Sequence, residues 1–392
     1  MRSLEIPQLL GALRQVLPER GAPYALHEPV FAGQEWSYVK ECIDTGWVSS
    51  AGEYVGRFEA ALADYTGVGA AVALVNGTSA LHMALLAAGV RPGDEVLLPA
   101  LTFVATANAV RYCGATPHFV DSEECSLGVD AVKLETYLKI NAKLSDGHLV
   151  NLRTGQRISA LVAMHTFGHP ADLDRLADLC RGHRIPLVED AAESLGSLYR
   201  GHHTGSHGVI SALSFNGNKI VTTGGGGALI TNDRELARRM RHLTTTAKQA
   251  HAWEFMHDQT GYNYRLPNIN AALGCAQMEQ LPGFVERKRC LAQRYAAAIK
   301  PVAGLRFFVE PGYARSNYWL NAIILDKASA PMRDDVLTAL HRAGILARPV
   351  WKLMNHLPMY RDCPRMDLSC AQDLAASLIN LPSGMGLEPA HG

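Results

Sequence analysis

Residues 211–233 read SALSFNGNKIVTTGGGGALITND. An apolar strand-like run, ISALSF (210–215), leads into a polar turn carrying Lys219. Four glycines (224–227) and a second strand, GALIT (227–231), follow. A lysine in such a turn is a candidate covalent catalyst, because its amine can form a Schiff base with an aldehyde cofactor. A cofactor held this way has three other needs: a carboxylate for its ring nitrogen, a cradle for its phosphate and a flat wall for its ring.

Outward from that stretch, strands and helices alternate. AAVALV (70–75) is a buried-strand run, NGT a turn, and TSALHMALLAAG a helix ending at Gly89. RPGDEVLLP gives a turn and strand, TFVATANAVRYCGA a helix, and TPHFVD a strand ending in Asp121. ISALVAMH (158–165) and IPLVED (185–190) are further apolar strands, with the helix ADLDRLADLCRGH between them. This alternation predicts an α/β fold, a large domain with a mainly parallel sheet covered on both faces. Beyond residue 266 comes a long helical stretch, bent near Pro282, then LRFFVE, NYWLNAIIL, a helix over 332–343 and ILARPVW. That texture predicts a smaller C-terminal α+β domain. The expected division is an N-terminal helical extension over 1–27, a large domain over 28–285 and a small domain over 286–392. The polar segment 139–157 reads as an inserted excursion.

Composition narrows the classes. Of 392 residues, 48% are apolar and 19% charged, and 37 basic residues balance 37 acidic ones. No global field favours a nucleic acid or a membrane surface, and no apolar run reaches the ~18 residues of a membrane helix. The N-terminus, broken by Glu5 and Arg14, reads as a short amphipathic helix rather than a signal peptide. Eight scattered cysteines without a C-x-x-C read as reduced thiols of a cytoplasmic protein. His202, His203 and His207 lie in RGHHTGSHG, read as a solvated turn; no metal site is expected.

Ligands of parallel α/β sheets sit at the carboxyl ends of the strands. Asp190 closes IPLVED, either as a helix N-cap or as a buried carboxylate facing a pyridinium nitrogen. Glu193, three residues on, completes a capping box or adds a second polar group at the same ring. Gly77 and Thr78 open a helix directly after a strand, where free amides and a hydroxyl suit a phosphate. Ser214 offers another hydroxyl, and Phe103 either stacks on a ring or packs in the core. Two motifs fail. GVGAAV (67–72) precedes a strand and ends in Val72, unlike a dinucleotide fingerprint, and GGGG lacks the G-K-[ST] ending of a P-loop.

With these residues in place, the chain resembles the pyridoxal 5'-phosphate (PLP)-dependent nucleotide-sugar aminotransferases of the DegT/StrS family, fold type I. The resemblance covers about residues 28–385. It rests on GWVSSAGEYVGRFE, LVNGTSALHMAL, GDEVLLPALTFVATANAV, GATPHFVD, HTFGHPADLD, VEDAAESLG, SFNGNKIVTTGGGG and GYNYRLPNINAALG, in that order. LHEPVFAGQEW, FNGNKI, TTTAK, ARPVW and PMYRDCPRMDLS are similar to the subgroup that aminates UDP-linked 4-keto-6-deoxy-N-acetylglucosamine in legionaminic acid and bacillosamine pathways.

The resemblance implies roles. Lys219 would bond the PLP aldehyde and shuttle protons, with Asp190 on the pyridine nitrogen and Glu193 near the ring hydroxyl. Many relatives carry Gln or His at that last position. Gly77, Thr78 and Ser214 would hold the phosphate, and Phe103 would stack on the ring. Asn263 would reach the phosphate of the other subunit, making a homodimer with shared sites. L-glutamate would donate the amine and a nucleotide-linked keto sugar would accept it. Trp47, Ser49 and Ser50 resemble a segment lining the family's entrance. Arg265 would meet a carboxylate or phosphate, or form a structural ion pair. His165 would approach the cofactor, or be a satisfied core histidine.

Three alternatives stand beside this reading: GDP-linked 4-keto-6-deoxymannose as the substrate, as in a perosamine synthase; the family's dehydratase branch, which Lys219 disfavours; and a non-catalytic regulatory protein with the same fold.

Overall fold

The computed structural model describes residues 4–18 and 23–387. Parts of the expected extension (1–3 and 19–22) and the last residues of the expected small domain (388–392) lie outside the described residues. Three helices come first: α1 (Ile6–Val16), α2 (Glu35–Asp44) and α3 (Glu53–Thr66). The alternating part follows as β1 (Ala70–Leu74), α4 (Gly77–Ala87), β2 (Glu95–Pro99), α5 (Val104–Tyr112), β3 (Thr116–Val120) and α6 (Ala131–Asn141). It continues through β4 (Ala142–Ser145), β5 (His148–Asn151), β6 (Arg157–Met164), α7 (Leu173–His183) and β7 (Leu187–Asp190). Short β8 (Leu198–Tyr199) and β9 (His202–His203) precede β10 (Ile210–Ser214), β11 (Gly227–Thr231), α8 (Arg234–Thr244) and α9 (Asn268–Ile299).

The central sheet runs β1-β11-β10-β7-β6-β2-β3. From β10 to β3 every pairing is parallel, and β11 is antiparallel to both β10 and β1. Helices cover both faces, so the inner strands are continuously apolar: β2, β7 and β11 are buried along their whole length. The parallel register brings the C-terminal ends of β6, β7 and β10 side by side, with Met164 opposite Asp190 and Asp190 opposite Ala212. Ser214 ends β10 two residues later.

The excursion over 139–157 is ordered. β4 and β5 form a hairpin closed by Asp146 and Gly147, both at positive φ (51° and 80°), the backbone a tight hairpin turn requires. β5 then pairs with β6 and extends the sheet.

α9 runs without a break through Pro282 and across the expected boundary at 285/286. α3 packs on it through Phe58, whose ring lies 2.7 Å from where a Cβ on Gly274 would sit. A second sheet follows: β12 (Leu305–Phe307), β13 (Ala314–Arg315), β14 (Asn321–Leu325), β15 (Arg348–Pro349) and β16 (Leu378–Leu381). Its order is β12-β14-β16-β15, all antiparallel, while β13 joins β8 and β9. α1 buries Leu9, Leu13 and Val16 against Tyr295 and Ile299 of α9 and against Ile323 of β14. It is the amphipathic helix its sequence promised, docked on the chain itself. Among the described residues, no helix is long and apolar enough to cross a membrane.

One sequence expectation needs correction here. The turn 201–208 is not solvated throughout. His203 is buried, accepts a hydrogen bond from Gly196 N (2.8 Å) at Nε2, and bonds the Thr204 carbonyl through Nδ1. Burial lowers its pKa to about 4, so it stays neutral.

Candidate active site

A cavity of about 710 Å3 opens at the C-terminal ends of β6, β7 and β10. Gly77, Thr78, Phe103, Asp190, Glu193, Ser214 and Lys219 all line it. Residues spread over 143 positions of sequence thus meet at one place, because parallel strands deliver their ends to one edge of the sheet.

Its floor is acidic. Asp190 is 2% exposed, and among the described residues no lysine or arginine forms an ion pair with it. Its Oδ2 accepts from Thr106 Oγ1 (2.7 Å) and its Oδ1 from Ala192 N (3.2 Å). Burial raises its pKa, and these hydrogen bonds only oppose the rise. A buried carboxylate in this state calls for a cationic N–H partner. No helix follows Asp190, so it is not an N-cap.

Glu193 lies beside it. Its Oε2 accepts from Phe167 N (2.9 Å), and its Oε1 accepts from Lys219 Nζ at 3.3 Å. Phe167 reaches it from a left-handed backbone (φ 56°), a local strain that aims the amide into the site. Burial pushes the Glu193 carboxyl up to about 7, against the pull of the Lys219 ammonium. The expected capping box is absent, and the carboxyl faces Lys219 instead.

Lys219 follows β10 in a turn closed by Lys219 N donating to Asn216 O (2.9 Å). Its Nζ also sits 3.8 Å from the centroid of the Trp319 indole, a cation–π contact. Trp319 is fixed by its indole N–H, which donates to Asn218 O (2.8 Å). The amine is thus held between a carboxylate and an aromatic face.

The opposite end suits a phosphate. Asn76 caps α4 by accepting from Ser79 N (2.7 Å), and the Gly77 and Thr78 amides have no acceptor among the described residues. A Cβ on Gly77 would lie 2.8 Å from Ser214 Cβ. Only glycine lets the helix start and the end of β10 approach so closely. Amides at a helix start flanked by two hydroxyls make an anion cradle. Phe103 is 49% exposed and lines the cavity, its ring edge-on to Trp351 at 6.2 Å. It is not core packing and is available as a ring wall. An aldehyde at Lys219, a ring nitrogen at Asp190 and a phosphate at Gly77 are the demands of PLP, and the donors present fit them.

The expected substrate residues fare differently. His165 is wholly buried behind the site. Its Nε2 bonds Glu189 (2.9 Å), and its Nδ1 accepts from Ala171 N (3.2 Å). Burial would raise Glu189, yet hydrogen bonds from His165 and Gly208 hold it at about 2. His165 is therefore the satisfied core histidine. Arg265 is the structural ion pair: it meets Glu59 Oε1 at 2.8 Å and donates to Ala73 O at 2.9 Å. Trp47, Ser49 and Ser50 are exposed and do not line the cavity of this chain. Asn263 lies outside it too, bridged to Thr245.

Several cavity residues had no role in the sequence reading, among them His27, Trp319, Arg348 and Trp351. Thr106, beneath Asp190, was missed as well. It sits three residues after Phe103, one helical turn into α5, and that spacing was its only signal.

A model of the DegT/DnrJ/EryC1/StrS aminotransferase family matches residues 30–391. The chain is 38% identical over 372 residues to a GDP-perosamine synthase of Caulobacter vibrioides, covering 92% of this chain and 93% of that one. It is 37% identical over 366 residues to the putative pyridoxal phosphate-dependent aminotransferase EpsN of Bacillus subtilis, covering 92% and 91%. The solved aminotransferase TlmJ of Streptoalloteichus hindustanus superposes with a TM-score of 0.84 at 31% identity, over 94% of this chain and 95% of that one.

Proposed function

The chain belongs to the DegT/DnrJ/EryC1/StrS aminotransferase family and is a PLP-dependent sugar aminotransferase, and we propose that it aminates C4 of a nucleotide-linked 4-keto-6-deoxyhexose, with L-glutamate as donor. The observation that carries this is the convergence of Lys219, Asp190 and the Gly77 cradle on one cavity. The GDP-perosamine synthase relative favours GDP-linked 4-keto-6-deoxymannose as the acceptor. A second reading, UDP-linked 4-keto-6-deoxy-N-acetylglucosamine, is favoured by LHEPVFAGQEW and the other subgroup phrases.

Bound PLP supplies an aldehyde that carries the amine and a ring that takes up electrons. Asp190 would face the ring nitrogen and favour its protonated form. Gly77, Thr78 and Ser214 would hold the phosphate, and Phe103 would wall the ring. Lys219 would anchor the cofactor through its Nζ, and the same amine is the cavity group suited to take and return the proton of the donor's α-carbon. Glu193 and the Trp319 face hold that amine in the cavity. Arg348 is an exposed guanidinium at the cavity, with no acidic partner among the described residues. It suits the glutamate carboxylate or the diphosphate. In this reading Asn263 serves the phosphate of a second copy, the enzyme is a cytoplasmic homodimer, and its product feeds polysaccharide biosynthesis.

The test is mass spectrometry of products formed from each keto sugar nucleotide with L-glutamate. An amino sugar from the GDP-linked substrate alone supports the first reading, and one from the UDP-linked substrate alone supports the second. No amino sugar from either, with the PLP absorption unbleached by glutamate, leaves the non-catalytic alternative.

A further inference from the structure

His27 lines the cavity. Both of its ring nitrogens are shut off from solvent, and neither has a hydrogen-bond partner among the described residues. Buried polar groups are normally satisfied, so an orphaned imidazole facing a cavity marks a place for a ligand's polar groups.

The residue is held there firmly. Tyr24 pairs with the strand-like segment before β15: its N–H donates to Gly344 O (2.8 Å), and Leu346 N donates to its carbonyl (3.0 Å). Ser383 N donates to Leu26 O at 2.7 Å. Buried Lys288 ties the other side, donating to Ser383 O (2.6 Å) and Trp319 O (3.1 Å). The His27 and Trp319 rings lie 6.5 Å apart at 44°, and Trp319 carries the Lys219 amine on its face. The N-terminal segment thus forms a strap that brings one imidazole beside the reacting lysine.

We infer that His27 is a specificity-determining residue that hydrogen-bonds the ring substituents of the keto sugar. This rests on the aminotransferase reading above. The chemistry chooses the sugar over the amino donor. Burial, then Lys288 and Lys219, lower the His27 pKa, so the ring is neutral. A neutral imidazole offers one donor and one acceptor, which matches a hydroxyl or an acylamino group. It offers no charge to a carboxylate, and Arg348 on the same cavity does. The neighbouring indole gives the apolar face of a sugar ring something to lie against.

The experiment uses holoenzyme and His27→Ala, His27→Phe and His27→Asn variants with matched melting temperatures. Titration calorimetry reads the affinity for GDP-4-keto-6-deoxymannose and UDP-4-keto-6-deoxy-N-acetylglucosamine. Single-turnover absorption reads the glutamate half-reaction. For the keto sugar the wild type turns over, Ala and Phe lower affinity by about 10–100-fold, and Asn restores part of it. The glutamate half-reaction changes less than about threefold. Unchanged affinity in Ala and Phe overturns the inference, as does an equal loss in both half-reactions. A wild type that binds a sugar nucleotide yet aminates none defeats the functional reading instead, and the affinity series still decides His27.

Discussion

Thr106 Oγ1 lies 2.7 Å from Asp190 Oδ2 and donates to it, from the first turns of α5 to the end of β7. Thr106 also bonds Thr102 (2.9 Å), so the hydroxyl is oriented from both sides. The contact stabilises the ionised form of a carboxylate that burial raises. Thr106→Val keeps the shape and removes the donor. Turnover is expected to fall about tenfold with KM for both substrates unchanged, because one hydrogen bond to a charged group is worth about 1.5–3 kcal/mol. Asp190→Asn is expected to cost about 100–1,000-fold, since it removes the charge itself. Steady-state kinetics on both variants check the order.

Lys219→Ala removes the amine held by Glu193 and Trp319. Turnover is expected to fall at least about 1,000-fold through loss of the proton carrier, and the lysine-linked PLP absorption disappears. Wild-type turnover in this variant sinks the assignment.

Glu193 predicts a pH signature in the cofactor-free protein. Burial raises its pKa from the ordinary glutamate value of 4.5 to about 7. The native state therefore binds more protons than the unfolded state between those values, so the Glu193 contribution favours folding at low pH and is lost as pH rises through about 7. Relative to Glu193→Gln, the wild type should lose on the order of 3 kcal/mol of stability from pH 4.5 to 7. Denaturant melts across that window measure the difference, and parallel curves refute it.

Arg265 predicts a stability effect. It shares Glu59 with Arg241, and both Glu59 and Arg265 are buried. Arg265→Ala is expected to destabilise by about 3–5 kcal/mol, because it strands part of a buried charge network. KM for glutamate and for the keto sugar should not change in the folded variant. A raised KM without destabilisation would return Arg265 to the substrate.

Much of the site was readable because its residues are chemically conspicuous at strand and helix ends. Lys219 in a glycine-rich turn, Asp190 after an apolar run and Gly77-Thr78 at a helix start announce themselves locally. Arg265 and His165 look equally functional in one dimension. Only their partners, Glu59 at 206 positions' separation and Glu189 at 24, show that their charge and polarity are already taken up. Trp319 and His27 err the other way. Nothing local marks Trp319 in NYWL or His27 in LHEP; the second sheet brings Trp319 onto Lys219, and the N-terminal strap brings His27 beside Trp319.

The sequence by itself determined the alternating α/β core, the family and the residues that would anchor PLP. The core follows from periodicity, in which neighbours along the chain set the conformation; the family and the residues proposed to anchor PLP follow from the resemblance that the local motifs carry. The tertiary structure decided which polar groups are satisfied and which are left facing the cavity. Hydrogen-bond satisfaction depends on groups brought together from distant positions. Among the described residues, Asp190 without a cation, His27 without a partner and Arg265 with one are distinctions that folding alone creates.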